Sequence, residues 1–331
     1  MILSSICLLD TSITSKNMGD HIIVDSIRRI LEDNFPETIF INIATHDYLS
    51  PEAYKIIASC DISIVCGTNL LCGNLETYKQ WKIQSKDFLM LRNVVLMGVG
   101  WWQYQETISQ YSSTFYNLCL SNSTIHSVRD QYTLEMLKKA CPNKLVVNTA
   151  CPTMWTLSKK HTEQINNAAK INASCCVTTI TDYKADPERD VEMINHLFKC
   201  YDNVFVWIQG SGDLDYLKKL EPRFEKNLQY ISPTLSAYDY FLRDQKRVDF
   251  IGTRLHAGIR ALQWGHPATI VEVDNRAQEI SKDTGLPTWP RKDDFAQLIT
   301  KHRSNYYIKL RLPVNNMTTW LESVKETIVK S

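Results

Sequence analysis

Short runs of β-branched and apolar residues alternate with longer stretches whose apolar positions recur every three or four residues, along most of the chain. The first kind predicts strands at Ile2–Leu9, Ile39–Ile43, Ile62–Cys66, Val94–Gly98 and Ile125–Val128. Between them, a polar loop ending at Gly19 leads into a predicted helix from Asp20 through Leu31. A second helix is predicted over Asp130–Ala140, with Leu134 and Leu137 on one face. The stretch from Cys151 to Ile171 is less regular, and the pattern then restarts. Cys175–Ile180, Val204–Ile208, Asp249–Ile251 and Ala268–Val273 read as strands. Helical periodicity covers Glu188–Cys200, Asp213–Leu220, Ser236–Leu242 and Arg254–Trp264. A last helix, Thr318–Val329, places Leu321, Val324 and Ile328 on one face and is expected to dock on the core.

Strands that alternate with helices form parallel sheets with crossover helices. Two such series of similar length predict an α/β protein of two Rossmann-like domains facing a cleft. The expected boundaries are 1–150 for an N-terminal domain on the acceptor side, 151–171 for a linker and 172–331 for a C-terminal domain on the donor side. The last helix is expected to pack back on the N-terminal domain. Ligands of such sheets bind beyond the carboxyl ends of the strands, so strand ends are where chemistry is sought.

Composition removes several function classes. Lys and Arg number 37 against 36 Asp and Glu, a net charge of +1, without the basic excess usual in a nucleic-acid binder. The longest apolar stretch, Val94 to Trp102, is interrupted by Gly98 and Gly100 and falls far short of the roughly 20 residues that span a bilayer. The N-terminus reads as a strand and lacks the basic flank of a signal peptide. Ten cysteines lie mostly inside apolar runs, in no CxxC pair and at no zinc-site spacing, and read as reduced thiols of a cytoplasmic protein.

Four strand ends carry candidate chemistry. Gly252-Thr253-Arg254-Leu255-His256-Ala257 passes from an apolar strand into a helix, which places Thr253, Arg254 and His256 where backbone N–H groups favour an anion. On spacing alone, His256 also reads as a buried histidine bonded to a backbone carbonyl. Arg276, after the next strand, follows Asp274 and Asn275, and alone would pass for a solvated arginine. Arg129 precedes Asp130, an evident helix N-cap and a ready ion-pair partner. Asn17, Gly19 and Asp20 follow the first strand, and Gly67, Thr68 and Asn69 follow the third. Each group either lines the cleft or turns the chain. No GxGxxG or P-loop lysine motif supports a dinucleotide or ATP site.

Together these segments resemble the polysaccharide pyruvyl transferase family. The likeness is densest from Gly252 to Ala257, through Ala261-Leu262, Gly265 and Pro267, to Asp274-Asn275-Arg276 and Gly285-Leu286-Pro287. Asn17-Met18-Gly19-Asp20 and Val128-Arg129-Asp130 resemble two earlier motifs of the family. Two positions depart from it: Cys66-Gly67-Thr68 stands where many members carry a glycine cluster, and Cys151 where many carry an acidic residue. The resemblance implies a GT-B arrangement and transfer of a pyruvyl group from phosphoenolpyruvate to two sugar hydroxyls, giving a cyclic ketal. It implies His256, Arg129 and Arg276 as catalytic residues, with Arg254 beside them.

The residues suit that donor. Phosphoenolpyruvate carries a phosphate and a carboxylate, each matched by a planar guanidinium, and a histidine titrates where protons must be exchanged. No metal and no cofactor beyond the donor is expected. The acceptor is a saccharide, and a lipid-linked one would bring the protein to the inner membrane surface. Two other readings stand beside this one: a GT-B glycosyltransferase using a sugar nucleotide, and a non-catalytic carbohydrate-binding protein of the same fold.

Overall fold

The computed structural model describes residues 4–78 and 80–330, so Ile2 and Leu3 of the first predicted strand lie outside the described residues. The chain forms two compact units. Lys16–Ile22 and Thr153–Arg311 make the second, and the remaining described residues make the first.

In the first unit, β1 (Ser4–Asp10), β2 (Thr38–Ala44), β3 (Ile62–Cys66) and β4 (Val94–Met97) form a parallel sheet in the order β2-β1-β3-β4. A parallel pair, β5 (His126–Val128) and β6 (Val146–Asn148), continues beyond β4 through bridges at Val99–Val128 and Val94–Leu120. Helices α1 (Met18–Asn34), α2 (Pro51–Ser59), α3 (Asp87–Met90), α4 (Gln110–Cys119) and α5 (Gln131–Ala140) connect the strands. β3 and β4 are buried at every position, which is why they read as continuous apolar runs.

The second unit holds α6 (Lys159–Ala168), β7 (Cys175–Thr178), α7 (Pro187–Cys200), β8 (Asn203–Trp207), α8 (Asp213–Leu220), β9 (Gln229–Ile231) and α9 (Leu235–Asp244). It continues with β10 (Asp249–Gly252), α10 (Leu255–Gln263), β11 (Ala268–Glu272), α11 (Asn275–Thr284), β12 (Thr288–Pro290) and α12 (Phe295–Asn305). Its strands pair in parallel in the order β12-β11-β10-β7-β8-β9. From β7 the chain winds outward to β9, returns to set β10 beside β7, and winds the other way. β7 and β10 therefore flank a topological switch point, the ligand crevice of doubly wound sheets.

Two buried clusters fix β10 and α10. At the start of β10, Asp249 accepts from the Tyr201 hydroxyl at 2.7 Å, pairs with Arg247 and lies 3.2 Å from His302 Nε2. Burial acts to raise the Asp249 pKa, but His302 and Arg247 outweigh it and hold the carboxyl below its usual range. Trp207 and Tyr238 stack at 4.1 Å, and the Tyr238 hydroxyl donates to the Ala257 carbonyl at 3.0 Å, tying α9 to α10.

Several expected boundaries need correction. Residues 153–171 are not a linker: α6 docks in the second unit through Thr162 and Ile165, His161 Nε2 sits 2.7 Å from the Leu262 carbonyl, and Asn166 bonds Ile308 twice. With Ile165 the one large aliphatic residue of α6, no apolar period was visible there. Residues 16–22 join the second unit through backbone bonds from Met18 to Gln209 (2.8 Å) and from Ser211 to Lys16 (3.2 Å). The final helix, α13 (Val314–Lys330), belongs to the first unit and starts four residues before the expected Thr318. It buries Met317, Trp320 and Val324, while Leu321 and Ile328 are half-buried, because the large indole at 320 turns the face inward. No described helix is long and apolar enough to cross a membrane.

His126 in β5 gives the first unit a pH dependence. Its Nδ1 accepts from Leu96 N at 3.3 Å and its Nε2 faces the Ser121 carbonyl at 2.9 Å, a pattern that only the neutral ring satisfies. Burial, with Lys144 nearby, pushes the pKa down to about 4. The folded state thus binds fewer protons than the unfolded one between about pH 4 and 6.5, and stability present above 6.5 is lost as pH falls through that window. Denaturant unfolding is expected to show a loss of about 3 kcal/mol across it. His126→Gln, which supplies a donor and an acceptor without titrating, is expected to flatten the slope, and an unchanged slope would assign it to another group.

Candidate active site

The switch point is closed by threonines. Thr253 N donates to the Thr179 carbonyl at 2.9 Å, Thr253 Oγ1 to the same oxygen at 3.2 Å, and Arg254 N to Thr179 Oγ1 at 3.0 Å. These bonds dock the end of β10 on the chain leaving β7 and set where α10 begins. His256 lies in the first turn of α10 and is buried.

The loop after β1 folds onto this turn. Gln209 joins them: its Oε1 accepts from Ala257 N at 3.1 Å and its Nε2 donates to Asn17 Oδ1 at 3.0 Å. The backbone N–H of Ala257 needs an acceptor, which settles which end of the amide faces it. Asn17 Oδ1 also accepts from Gly19 N at 3.0 Å. Gly19 permits the closeness, since a Cβ there would sit 2.8 Å from Gln209 Nε2 and 3.3 Å from His256 Nδ1. α1 starts at Met18 rather than at Asp20, so Asp20 is a buried acid in the first turn, its N–H bonded to the Asn17 carbonyl at 3.0 Å. Asn17, Gly19, Asp20, Thr253 and His256 therefore form one neighbourhood.

Arg254 and Arg276 carry internal counter-charges. Arg254 Nε donates to Asp213 Oδ2 at 2.9 Å, and its Nη2 donates to Asp182 Oδ1 at 3.1 Å and to Asp213 Oδ1. Burial pushes the Asp213 carboxyl up, and Arg254 works against that shift. Arg276 Nε donates to Asp274 Oδ2 at 2.7 Å. Between the two guanidiniums stands the ring of Tyr183, 5.4 Å from Arg254 Cζ and 5.5 Å from Arg276 Cζ. The Tyr183 hydroxyl donates to Asp274 Oδ2 at 2.5 Å and meets Arg276 Nη2. Arg276 keeps 21% of its side chain exposed and Arg254 only 9%, so Arg276 is the more accessible cation.

The other predicted positions lie in the first unit. Arg129 is buried, and its Nε donates to Asp130 Oδ2 at 3.0 Å while Asp130 caps α5 by accepting from Thr133 N at 2.7 Å. The guanidinium rests on Gly100, where a Cβ would fall 2.2 Å from Arg129 Cζ. Gly100 N donates to the Thr68 carbonyl at 2.7 Å, and Gly67 and Thr68 turn the chain with φ of 60° and 55°. Gly67, Thr68 and Arg129 thus gather around Gly100, with Asn69 next along the same turn.

Sequence reasoning missed Gln209, Tyr183, Asp182 and Asp213. The first three follow the carboxyl ends of β7 and β8, so the rule that selected Arg276 applied equally to them. Asp213 carried no signal of its own, being one acid among several at a helix start.

Gln209→Ala would remove the acceptor of Ala257 N and one donor to Asn17 Oδ1, and a buried N–H so stranded costs about 1–3 kcal/mol. Reduced thermal stability is expected, with faster amide exchange confined to residues 16–22 and the first turn of α10. Unchanged exchange there would mean that the backbone bonds alone hold the loop.

Comparison with known proteins follows from this geometry. A search of curated proteins found no match. Among solved structures, UDP-N-acetylglucosamine 2-epimerase from Rickettsia bellii aligns with a TM-score of 0.51 at 9% identity, covering 99% of this chain and 96% of that one. The S. aureus protein MnaA, solved with UDP, aligns with a TM-score of 0.50 at 8% identity, covering 91% and 88%. At such identities the likeness is one of fold, the two-domain Rossmann-like α/β fold of the GT-B type. The family model described as polysaccharide pyruvyl transferase matches residues 17–275, from the first loop to the start of α11. The chain belongs to the polysaccharide pyruvyl transferase family.

Proposed function

We propose that the protein moves a pyruvyl group from phosphoenolpyruvate to two hydroxyls of a saccharide, forming a cyclic ketal in the synthesis of a cell-surface polysaccharide. The observation that carries this reading is His256 in the first turn of α10 at the switch point, with the Asn17–Gly19 loop folded against it and Arg276 at the next strand end.

The chemistry asks for proton transfer and anion binding. C3 of the enol gains a proton and one sugar oxygen bonds to C2. The bond from C2 to the phosphate oxygen then breaks, and the second sugar oxygen takes its place. The two hydroxyls release two protons, one replacing that delivered to C3 and one leaving with phosphate. His256 is assigned the proton delivered to C3, because histidine changes charge near neutral pH without a large shift. Arg276 is assigned to the donor's phosphate or carboxylate, a match for its planar fork. Arg129 is assigned anion binding on the strength of its family motif alone; within its own unit it is paired with Asp130. Arg254 is assigned a positioning role. Asp213 and Asp182 already neutralise it, so it braces Tyr183 and the β10–α10 junction.

Replacing Arg276 or Arg129 by Lys is expected to reduce turnover on the order of 10²-fold, since an ammonium cannot reproduce a two-pronged contact to a developing anion. Steady-state kinetics decide it, and wild-type rates in both variants would leave these arginines structural.

His256→Gln is expected to keep phosphoenolpyruvate binding while losing about 10²-fold or more in turnover. In deuterated water the product methyl group is expected to carry deuterium, as protonation at C3 requires. A His256→Gln enzyme turning over near the wild-type rate at saturating donor would remove the histidine from the mechanism.

A further inference from the structure

The loops after β3 and β4 in the first unit carry an aromatic cluster that the donor chemistry leaves unused. Tyr78 and Trp102 stack with centroids 4.3 Å apart and planes 21° apart, and Tyr104 meets Tyr132 edge-on at 5.0 Å. Tyr104 is 57% exposed, and the other three rings are half-buried. The rings stand on a cross-tied support. Gln105 Oε1 accepts from Trp101 Nε1 and from Gly73 N, both at 2.8 Å, and its Nε2 donates to Asn74 Oδ1 at 2.9 Å. Gln105 N donates to the Tyr132 hydroxyl at 2.7 Å. Between Trp102 and Tyr104, Gln103 takes a left-handed backbone with φ of 54°, a conformation that side chains other than glycine adopt at a cost.

Apolar rings left to themselves fold inward. Here the bonds around Gln105 and the unfavourable backbone angle at Gln103 leave Tyr104 at the surface beside three half-buried rings, in a patch that mixes ring faces with hydroxyls and amides. That mixture suits a ligand with apolar C–H faces and many hydroxyls. The patch also belongs to the segment that starts at Gly100, on which the Arg129 guanidinium rests. We propose that Trp102 and Tyr104, supported by Tyr78 and Tyr132, form the binding platform for the acceptor saccharide, with sugar rings stacking on the aromatic faces. The proposal rests on the pyruvyl-transfer reading only in taking a saccharide as the acceptor.

The test uses the full chain on an array of defined oligosaccharides, with wild type, Trp102→Ala and Tyr104→Ala compared. Tyr104 is exposed enough that its variant is expected to fold even if the Trp102 variant does not. Wild type is expected to bind a subset of the glycans, and each folded variant to bind that subset about tenfold or more weakly. Thermal stabilisation by phosphoenolpyruvate is expected to be equal in all three. Equal glycan binding by wild type and Tyr104→Ala would overturn the platform, as would a wild type that ignores the whole array. So would a concentration-dependent dimer, seen in sedimentation, that Tyr104→Ala dissolves, because the rings would then be covering a second copy of the chain. A wild type that binds glycans through these rings but gains no stability from phosphoenolpyruvate would sink the pyruvyl-transfer reading and leave the platform standing.

Discussion

The side-chain amide of Gln209 joins parts of the chain that sequence keeps far apart: Asn17 lies 192 positions away and Ala257 lies 48. Both ends of the amide are used. One end accepts the Ala257 N–H at the start of α10, and the other donates to the Asn17 side-chain oxygen Oδ1, which also accepts from Gly19 N. The placement of His256 against the first loop depends on that double use. The threonine bonds between β7 and β10 set where α10 begins, and Gln209 sets what faces it.

In the second unit Arg254 and Arg276 each have a carboxylate partner. Arg254 and Asp213 are both almost wholly buried, and such a pair is maintained by geometry and by additional hydrogen bonds rather than by net attraction, because desolvation offsets most of the Coulomb term. Arg276 and Asp274 are less enclosed. Tyr183 couples the two pairs through its ring and its hydroxyl. A donor dianion would therefore meet a site whose arginines are already fixed in orientation, which lowers the ordering cost of binding.

Much of the fold was legible in the sequence because its strands are buried on both faces. β3, β4, β10 and β11 read as short, mostly apolar runs, and helices such as α7 and α8 carry clear apolar stripes. β9 and β12 escaped notice because three residues give no period, and α6 and α11 because polar residues fill most of their positions. The strand-end rule selected His256, Arg129 and Arg276 as candidates. It could not show that Arg254 is neutralised, since Asp213, at the start of α8, and Asp182, after β7, sit 41 and 72 positions away. The transfer of residues 16–22 to the second unit was invisible for a similar reason. It rests on backbone bonds to the chain around Gln209, which leave no mark in composition.

The central claim is that this site takes phosphoenolpyruvate rather than a sugar nucleotide. Thermal unfolding of the purified protein with each candidate donor tests it directly, since a ligand bound only by the folded state raises the midpoint, and does so more as its affinity or concentration increases. Phosphoenolpyruvate is expected to raise the midpoint, while a panel of UDP-, GDP- and dTDP-sugars at equal concentration leaves it unchanged. Stabilisation by a sugar nucleotide, with none by phosphoenolpyruvate, would contradict the account.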